Sequence, residues 1–189
     1  MGGFKQKGVA VLCSATVVIA FMVNNPQLMK HELRTRPIFI EKVLAKWEGC
    51  HRTPYPDTGG LTTNGIGHLC VKGDGTNRTL TIEEVAQLLN NDLWIAEQCV
   101  NRYFNGYALP QEKFESLADF TLNLGCSKAI GATKMTRIRH YVLIGDYGSM
   151  CKSFVDWSKG RNLKGELVTI KGLLNRRRDE EKWCLTGNL

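Results

Sequence analysis

Apolar positions along this chain recur with different periods, and the periods predict a mainly helical α+β protein with one small sheet. Ile38, Ile40, Leu44 and Trp47 recur at roughly helical spacing, behind Pro37, which suits a first helical position, and ahead of Gly49, which suits a C-terminal cap. Glu48 therefore closes that helix. The stretch from Leu61 to Ile66 is short and Thr-containing, and Pro54, Pro56, Gly59 and Gly60 punctuate the chain before it, a pattern that predicts a hairpin carrying Asp57 and Thr63. Leu80, Val85, Leu88, Leu89, Leu93 and the run Ile95 to Val100 predict one or two helices. Thr81 with Glu84 three residues later forms a capping box at their start. Phe114, Leu117, Phe120, Leu122 and Leu124 mark a core helix ended by Gly125, and Phe154, Trp157 and Leu173 belong to further C-terminal packing. The long helix is expected to join two lobes.

One apolar block has no amphipathic period. Residues 8–23 carry no charge and follow Lys5 and Lys7, the layout of an export signal. As a helix the run spans about 24 Å, against a hydrocarbon core of about 30 Å, so it is a marginal membrane span. Gly8, Ala10, Ser14, Ala15, Thr16 and Ala20 dilute it further, and no clear small-any-small cleavage site follows before Asn24-Asn25-Pro26. An ordinary cleaved signal peptide is the alternative reading. Lys30, Arg34 and Arg36 follow the span as well, so charge does not fix its orientation.

With 189 residues, 43% of them hydrophobic, the chain suffices for one domain with a proper core, and disorder is not indicated. The formal charge of +7 raises nucleic acid as a partner. Arg176-Arg177-Arg178 is however followed by Asp179-Glu180-Glu181, which nearly neutralises the local cluster and argues against it. A basic surface would instead draw the protein toward anionic wall polymers and membrane faces. Seven cysteines, Cys13, Cys50, Cys70, Cys99, Cys126, Cys151 and Cys184, fit an oxidising compartment. Without a Cys-any-any-Cys spacing or a His cluster they suggest disulfides rather than a metal. The odd count leaves one thiol over.

The densest chemistry lies between Trp47 and His68. Cleaving a glycosidic bond takes one carboxylic acid to protonate the leaving oxygen and a second group to manage charge or water across the sugar. Glu48, Asp57 and Thr63 supply two carboxyls and a hydroxyl, and a helix-end Glu facing a hairpin Asp and Thr leaves a gap for sugar and water. A Glu walled by apolar neighbours holds its proton near neutrality. Singly, each has a blander explanation: a solvated helix-end charge, a turn former, an ordinary strand residue.

Jointly the pattern resembles the signature of phage lysozymes, the endolysins of glycoside hydrolase family 24. There a catalytic Glu precedes Gly, an Asp follows nine positions after the Glu and a Thr six further, and Gly-any-Gly-His closes the motif; here these are Glu48, Gly49, Asp57, Thr63, Gly65, Gly67 and His68. The likeness runs on through Asn91-Asp92, Phe120 to Gly125 and Asn175-Arg176-Arg177-Arg178, about residues 38 to 185. It implies a two-lobed lysozyme fold with a small β-hairpin lobe and hydrolysis of the β-1,4 bond between N-acetylmuramic acid and N-acetylglucosamine in peptidoglycan, causing lysis of the host cell. No cofactor and no metal are implied, and the chain is expected to act as a monomer. Glu48 would be the general acid, and Asp57 with Thr63 would position the hydrolytic water. His68 would support the site through Asp92. Cys50 and Asn64 depart from the plainest family pattern. A lytic transglycosylase, or a catalytically silent wall-binding or membrane-perturbing protein, is the alternative; the spacing of Asp57 and Thr63 favours hydrolysis.

The weakly apolar N-terminus is similar to the signal-arrest-release segment of one class of endolysins. That likeness implies a membrane segment over residues 1–24, a linker over 25–36 and a catalytic domain over 37–189. The chain would face the periplasm while tethered to the inner membrane through residues 8–23, then enter the soluble periplasm on release. The same layout suggests structural pairs Cys99–Cys184 and Cys126–Cys151. Cys13, Cys50 and Cys70 remain for one bond: Cys50 would pair with Cys70 while Cys13 is in the bilayer, and with Cys13 after release.

Overall fold

The structure, a computed structural model, describes residues 11–56, 60–131, 133–161 and 165–189. Helices dominate it, and the chain divides into two compact units. One takes the N-terminal segment to Lys30 together with Glu48–Leu89, and the other is His31–Trp47 with Asn90–Leu189.

The first unit is built on an antiparallel sheet in the order β1 (His51–Pro56), β2 (Thr62–Gly65), β3 (His68–Leu69). Tyr55 lies opposite Thr63 and His51 opposite Gly65, with a register shift between these pairs, while Thr63 and Asn64 face Leu69 and His68 on the other side. Thr63 is thus in the central strand. The N-terminal segment extends the sheet: Leu12 bridges His51, Arg52 N–H donates to the Val11 carbonyl at 2.7 Å, and Cys13 N–H donates to that of Cys50 at 3.1 Å. Helix α1 (Ala15–Asn24) follows and buries Val18, Ile19 and Met22. The apolar run of residues 8–23 therefore lies against a folded protein over its described part, and no helix among the described residues is long and apolar enough to cross a membrane.

A helical stretch that changes pitch lies in the second unit up to Trp47, and its last residue, Glu48, enters the first. A first turn, α2 (Pro37–Phe39), passes into a π-type turn over Ile40–Leu44 and then into the single turn α3 (Ala45–Glu48). Pro37 begins it and Gly49, at φ +65°, ends it, as a ring-fixed φ and a missing Cβ favour. The long helix α4 (Ile82–Tyr103) is one continuous element that starts in the first unit and continues in the second. Its capping box forms as the sequence predicts: Glu84 N–H donates to Thr81 Oγ1 at 3.1 Å and Thr81 N–H to Glu84 Oε2 at 2.8 Å.

Helices α5 (Gln111–Leu124), α6 (Cys126–Ile130), α7 (Arg137–Leu143), α8 (Tyr147–Lys152) and α9 (Lys171–Thr186) complete this unit around Phe104, Phe114, Leu117, Phe120, Ile138 and Phe154. A hairpin of β4 (Lys159–Arg161) and β5 (Leu167–Thr169), which the hydrophobic pattern does not announce, precedes α9. Arg176 and Arg177 are buried, not solvated. Arg176 meets Asp119 at 2.7 Å and Arg177 meets Glu180 at 2.7 Å, so burial is matched by pairing.

Residues 31–36 are bound to the second unit by side chains that accept their backbone N–H groups. His31 N–H donates to Asn90, those of Arg34 and Thr35 to Glu97, and that of Arg36 to Glu115. The Arg34 guanidinium donates to the carbonyls of Gly106 and Leu109 at 2.8 and 2.6 Å.

The disulfides correct the expected pairing. Cys99 bonds Cys126 and Cys151 bonds Cys184, in place of Cys99–Cys184 and Cys126–Cys151. The reason is a close approach of α5 to α4 near its end: Thr121 Oγ1 donates to the Ala96 carbonyl at 3.3 Å, which delivers Cys126 to Cys99 five residues later in the chain. Cys184 then falls to α8, where its sulfur also lies 4.0 Å from Met150 Sδ. The third bond joins Cys13 to Cys50, and Cys70 is a free thiol.

Candidate functional site

Of the residues singled out by the sequence, Glu48, Thr63, Gly67 and His68 lie in the first unit. Glu48 is half-buried at the end of α3, where the chain turns through Gly49 into β1. Its carboxylate lies against the backbone of Gly67 in the turn between β2 and β3: a Cβ built on Gly67 would sit 2.5 Å from Glu48 Oε2 and 3.0 Å from Cδ. Gly67 also has φ +72°, so a glycine is required twice over, once for the turn and once for the acid. This is the physical content of the Gly-any-Gly-His spacing.

Thr63 is 6% exposed in the central strand, and its hydroxyl donates to the Tyr55 carbonyl at 3.3 Å. Directly opposed residues of an antiparallel pair share a face, so Thr63 and Tyr55 project to the same side of the sheet. Asp57, one residue beyond β1, lies outside the described residues.

Asn64, which departs from the plainest family pattern, is fully buried and fastens the neighbouring loop. Its amide donates to the carbonyls of Thr76 and Arg78 at 2.7 and 2.8 Å, and its oxygen accepts Gly65 N–H at 2.8 Å. An apolar side chain there would leave those two carbonyls without this partner. Arg52 completes the seam, exchanging bonds with Leu80: Leu80 N–H donates to the Arg52 carbonyl and Arg52 Nε to that of Leu80.

Within this unit His68 meets Asp74, with Nε2 3.7 Å from Oδ2; Asp92 is carried by α4 in the other unit. Asp74 organises the loop after β3 by accepting the Thr76 hydroxyl at 2.6 Å, Thr76 N–H at 2.8 Å and Val71 N–H at 2.5 Å. Those bonds, the Thr76 hydroxyl first, hold its carboxyl down to about 2, so it is anionic beside the imidazole. The sequence reading missed Asp74, although Gly73-Asp74-Gly75-Thr76 has the composition of an Asx turn. Cys70, whose sulfur lies 3.9 Å from the Thr76 carbonyl, borders the same loop.

Cys50, two residues past Glu48, is buried and held by Cys13, with Cα atoms 5.0 Å apart. The N-terminal segment is therefore covalently part of the unit that carries Glu48 and Thr63. Among the described residues no group of His, Cys, Asp and Glu is placed to hold a metal.

The phage lysozyme family model matches residues 45–180. The chain is 29% identical over 194 residues to the SAR-endolysin of Escherichia phage P1, covering 99% of this chain and 98% of that protein. It is 31% identical over 189 residues to the SAR-endolysin of Haemophilus phage HP1, covering 96% and 98%. Among solved structures it is similar to the active form of the P1 phage endolysin Lyz, with a TM-score of 0.76 and 29% identity over 95% of this chain and 97% of the other.

Proposed function

Because this chain belongs to the phage lysozyme family and is a muramidase-type glycoside hydrolase that lyses peptidoglycan, we propose that Glu48 is its general acid and that Asp57 with Thr63 positions the hydrolytic water. The observation that carries this reading is the seat of the Glu48 carboxylate against Gly67 in the turn that follows the Thr63 strand. Glu48 gives its proton to the glycosidic oxygen between N-acetylmuramic acid and N-acetylglucosamine. Water held by Asp57 and Thr63 attacks the anomeric carbon from the opposite face, with inversion, a geometry that needs carboxyls roughly 6.5 to 9.5 Å apart. His68, set by Asp74 and by the expected partner Asp92, supports the loop beside the sheet. The protein works as a monomer, with neither metal nor cofactor.

The same reading extends to export. Residues 8–23 tether the new chain to the inner membrane, facing the periplasm, and the segment then leaves the bilayer to take the place it has in the fold. Before release Cys50 is bonded to Cys70. On release the Cys13 thiolate attacks the Cys50 sulfur, the Cys13–Cys50 bond forms, and Cys70 departs as a thiolate that takes up a proton, so no oxidant is consumed.

Sheet geometry supports this order of events. Cys50 precedes a β1 residue paired with Gly65, while Cys70 N–H bonds the Thr62 carbonyl on the far side of β2. Two strand spacings of about 4.8 Å and an offset of about four residues at about 3.3 Å each separate them, and a disulfide needs Cα atoms within about 7 Å. A Cys50–Cys70 bond and the three-stranded sheet exclude one another, so the bond silences the enzyme by displacing Thr63.

Purified peptidoglycan incubated with wild type and Glu48→Gln tests the chemistry. Reducing-end muropeptides from wild type alone are expected; anhydro products, or equal activity in the variant, would contradict the assignment. Cys13→Ser, expressed in a host cell, is expected to delay or abolish lysis and to carry a Cys50–Cys70 bond in non-reducing peptide maps. Lysis on the normal schedule removes the exchange.

A further inference from the structure

We infer that Asp179 is a positioning residue for the acid, acting through Lys46 and Trp47 on the single helical turn that ends in Glu48; this rests on the assignment of Glu48 as general acid. Asp179 lies on α9, and one of its oxygens, Oδ2, accepts both the Lys46 ammonium at 2.6 Å and the Trp47 indole N–H at 3.0 Å. The Lys46 nitrogen is also 5.1 Å from the centroid of the Trp47 ring. Three side chains thus close on one another at the two residues before Glu48.

This turn needs an outside hold. A single turn of helix has no stability of its own, because nucleation fixes several backbone angles for one hydrogen bond. Here the turn is preceded by a π-type turn, which breaks the regular ladder, and is followed at once by Gly49 at φ +65°. The π-type turn is anchored in the core through Val43 and Leu44, but the turn after it, Ala45–Glu48, buries none of its own side chains. The direction in which Glu48 points therefore depends on its seat against Gly67 and on how the turn itself is held, and Asp179 holds the turn at two consecutive residues.

The contacts suit orientation better than stability. Lys46 is 52% exposed and the Asp179 side chain 20%, and an ion pair this open to water adds little to folding free energy. The indole bond is different in kind, a directional, charge-assisted bond from a rigid ring to a carboxylate. Proton transfer to a leaving oxygen depends on heavy-atom distances of 2.6 to 3.2 Å, and a misplacement of about 1 Å costs up to roughly a hundredfold in rate. The sequence motif did not include Asp179, which enters the acidic run after Arg178 as one charge among three.

The test compares steady-state turnover on soluble peptidoglycan fragments for wild type, Asp179→Ala, Trp47→Phe, the double variant, Asp179→Glu and Glu48→Gln. Melting temperatures and the indole N–H proton resonances are recorded for each. In Asp179→Ala we expect kcat to fall roughly ten- to a hundredfold with KM unchanged. The Trp47 indole resonance, identified by its loss in Trp47→Phe, should shift in the same variant. Trp47→Phe should show a smaller fall, the double variant no more than Asp179→Ala, and Asp179→Glu a partial recovery. Unchanged kcat in Asp179→Ala, a change in KM alone, or losses that simply add in the double variant would overturn the inference. Should Asp179→Ala not fold, Trp47→Phe decides by itself, and full kcat there overturns it. Full activity in Glu48→Gln is a separate failure, that of the acid assignment.

Discussion

At the scale of single residues, the site is a matter of what is small enough and what is held. Gly67 leaves the space that the Glu48 carboxylate occupies, so a methyl group there has to push the acid out of place. Gly67→Ala is expected to lose at least tenfold in kcat and to cost about 1 to 3 kcal/mol in stability, since a Cβ at φ +72° is strained besides. Peptidoglycan turnover and urea unfolding measure the two effects; normal turnover would show that Glu48 does not depend on that seat. Asn64 shows the other side of residue chemistry. Its position reads as a departure from the family pattern, yet its buried amide ties two loop carbonyls that the strand cannot reach.

At the scale of elements, α4 holds the clearest correspondence between local sequence and local structure. Thr81 and Glu84 cap it reciprocally, and Glu84 also pairs with Arg78. The guanidinium, followed by the Thr81 N–H bond, holds the Glu84 carboxyl down to about 2. Thr81→Ala is expected to cost about 1 kcal/mol, read as a lower urea midpoint with unchanged slope. An unaltered midpoint would mean that the helix start is fixed by packing alone. The helix leading to Glu48 is the opposite case. Apolar spacing and the flanking Pro37 and Gly49 predict it, but nothing in that spacing announces the π-type turn or the need for Asp179.

At the scale of the whole molecule, residues 31–36 are joined to their unit by the Asn90 amide, the Glu97 and Glu115 carboxylates and the stacking of His31 on Trp94 at 4.0 Å. Burial alone would raise the Glu115 carboxyl, but the Arg36 side chain, Gln111, Arg36 N–H and Trp183 together bring it below its ordinary value. A carboxylate lowered on folding adds stability that is present above its unfolded value, near 4.3, and is lost as pH falls through the folded value. Wild type is therefore expected to lose stability on acidification below about pH 4.3 more steeply than Glu115→Gln. Urea unfolding at intervals from neutral to acid pH measures the slopes, and parallel slopes would remove Glu115 from the account.

What the sequence determined by itself follows from local physics. Helical period, proline and glycine positions, the capping box and the spacing from Glu48 to His68 are relations between near neighbours, so fold class and candidate chemistry are legible without coordinates. Only the tertiary structure decided which cysteines pair. Residues 27 and 33 apart meet because α5 approaches α4 at Thr121 and Ala96 and α9 packs on α8, and apolar period does not encode those approaches. The same holds for the N-terminal run. Its composition describes a marginal membrane segment, while the edge of β1 and the Cys13–Cys50 bond make it part of the folded unit. A weakly apolar segment is able to satisfy either surrounding, and the difference between them is made by long-range backbone pairing and one covalent bond.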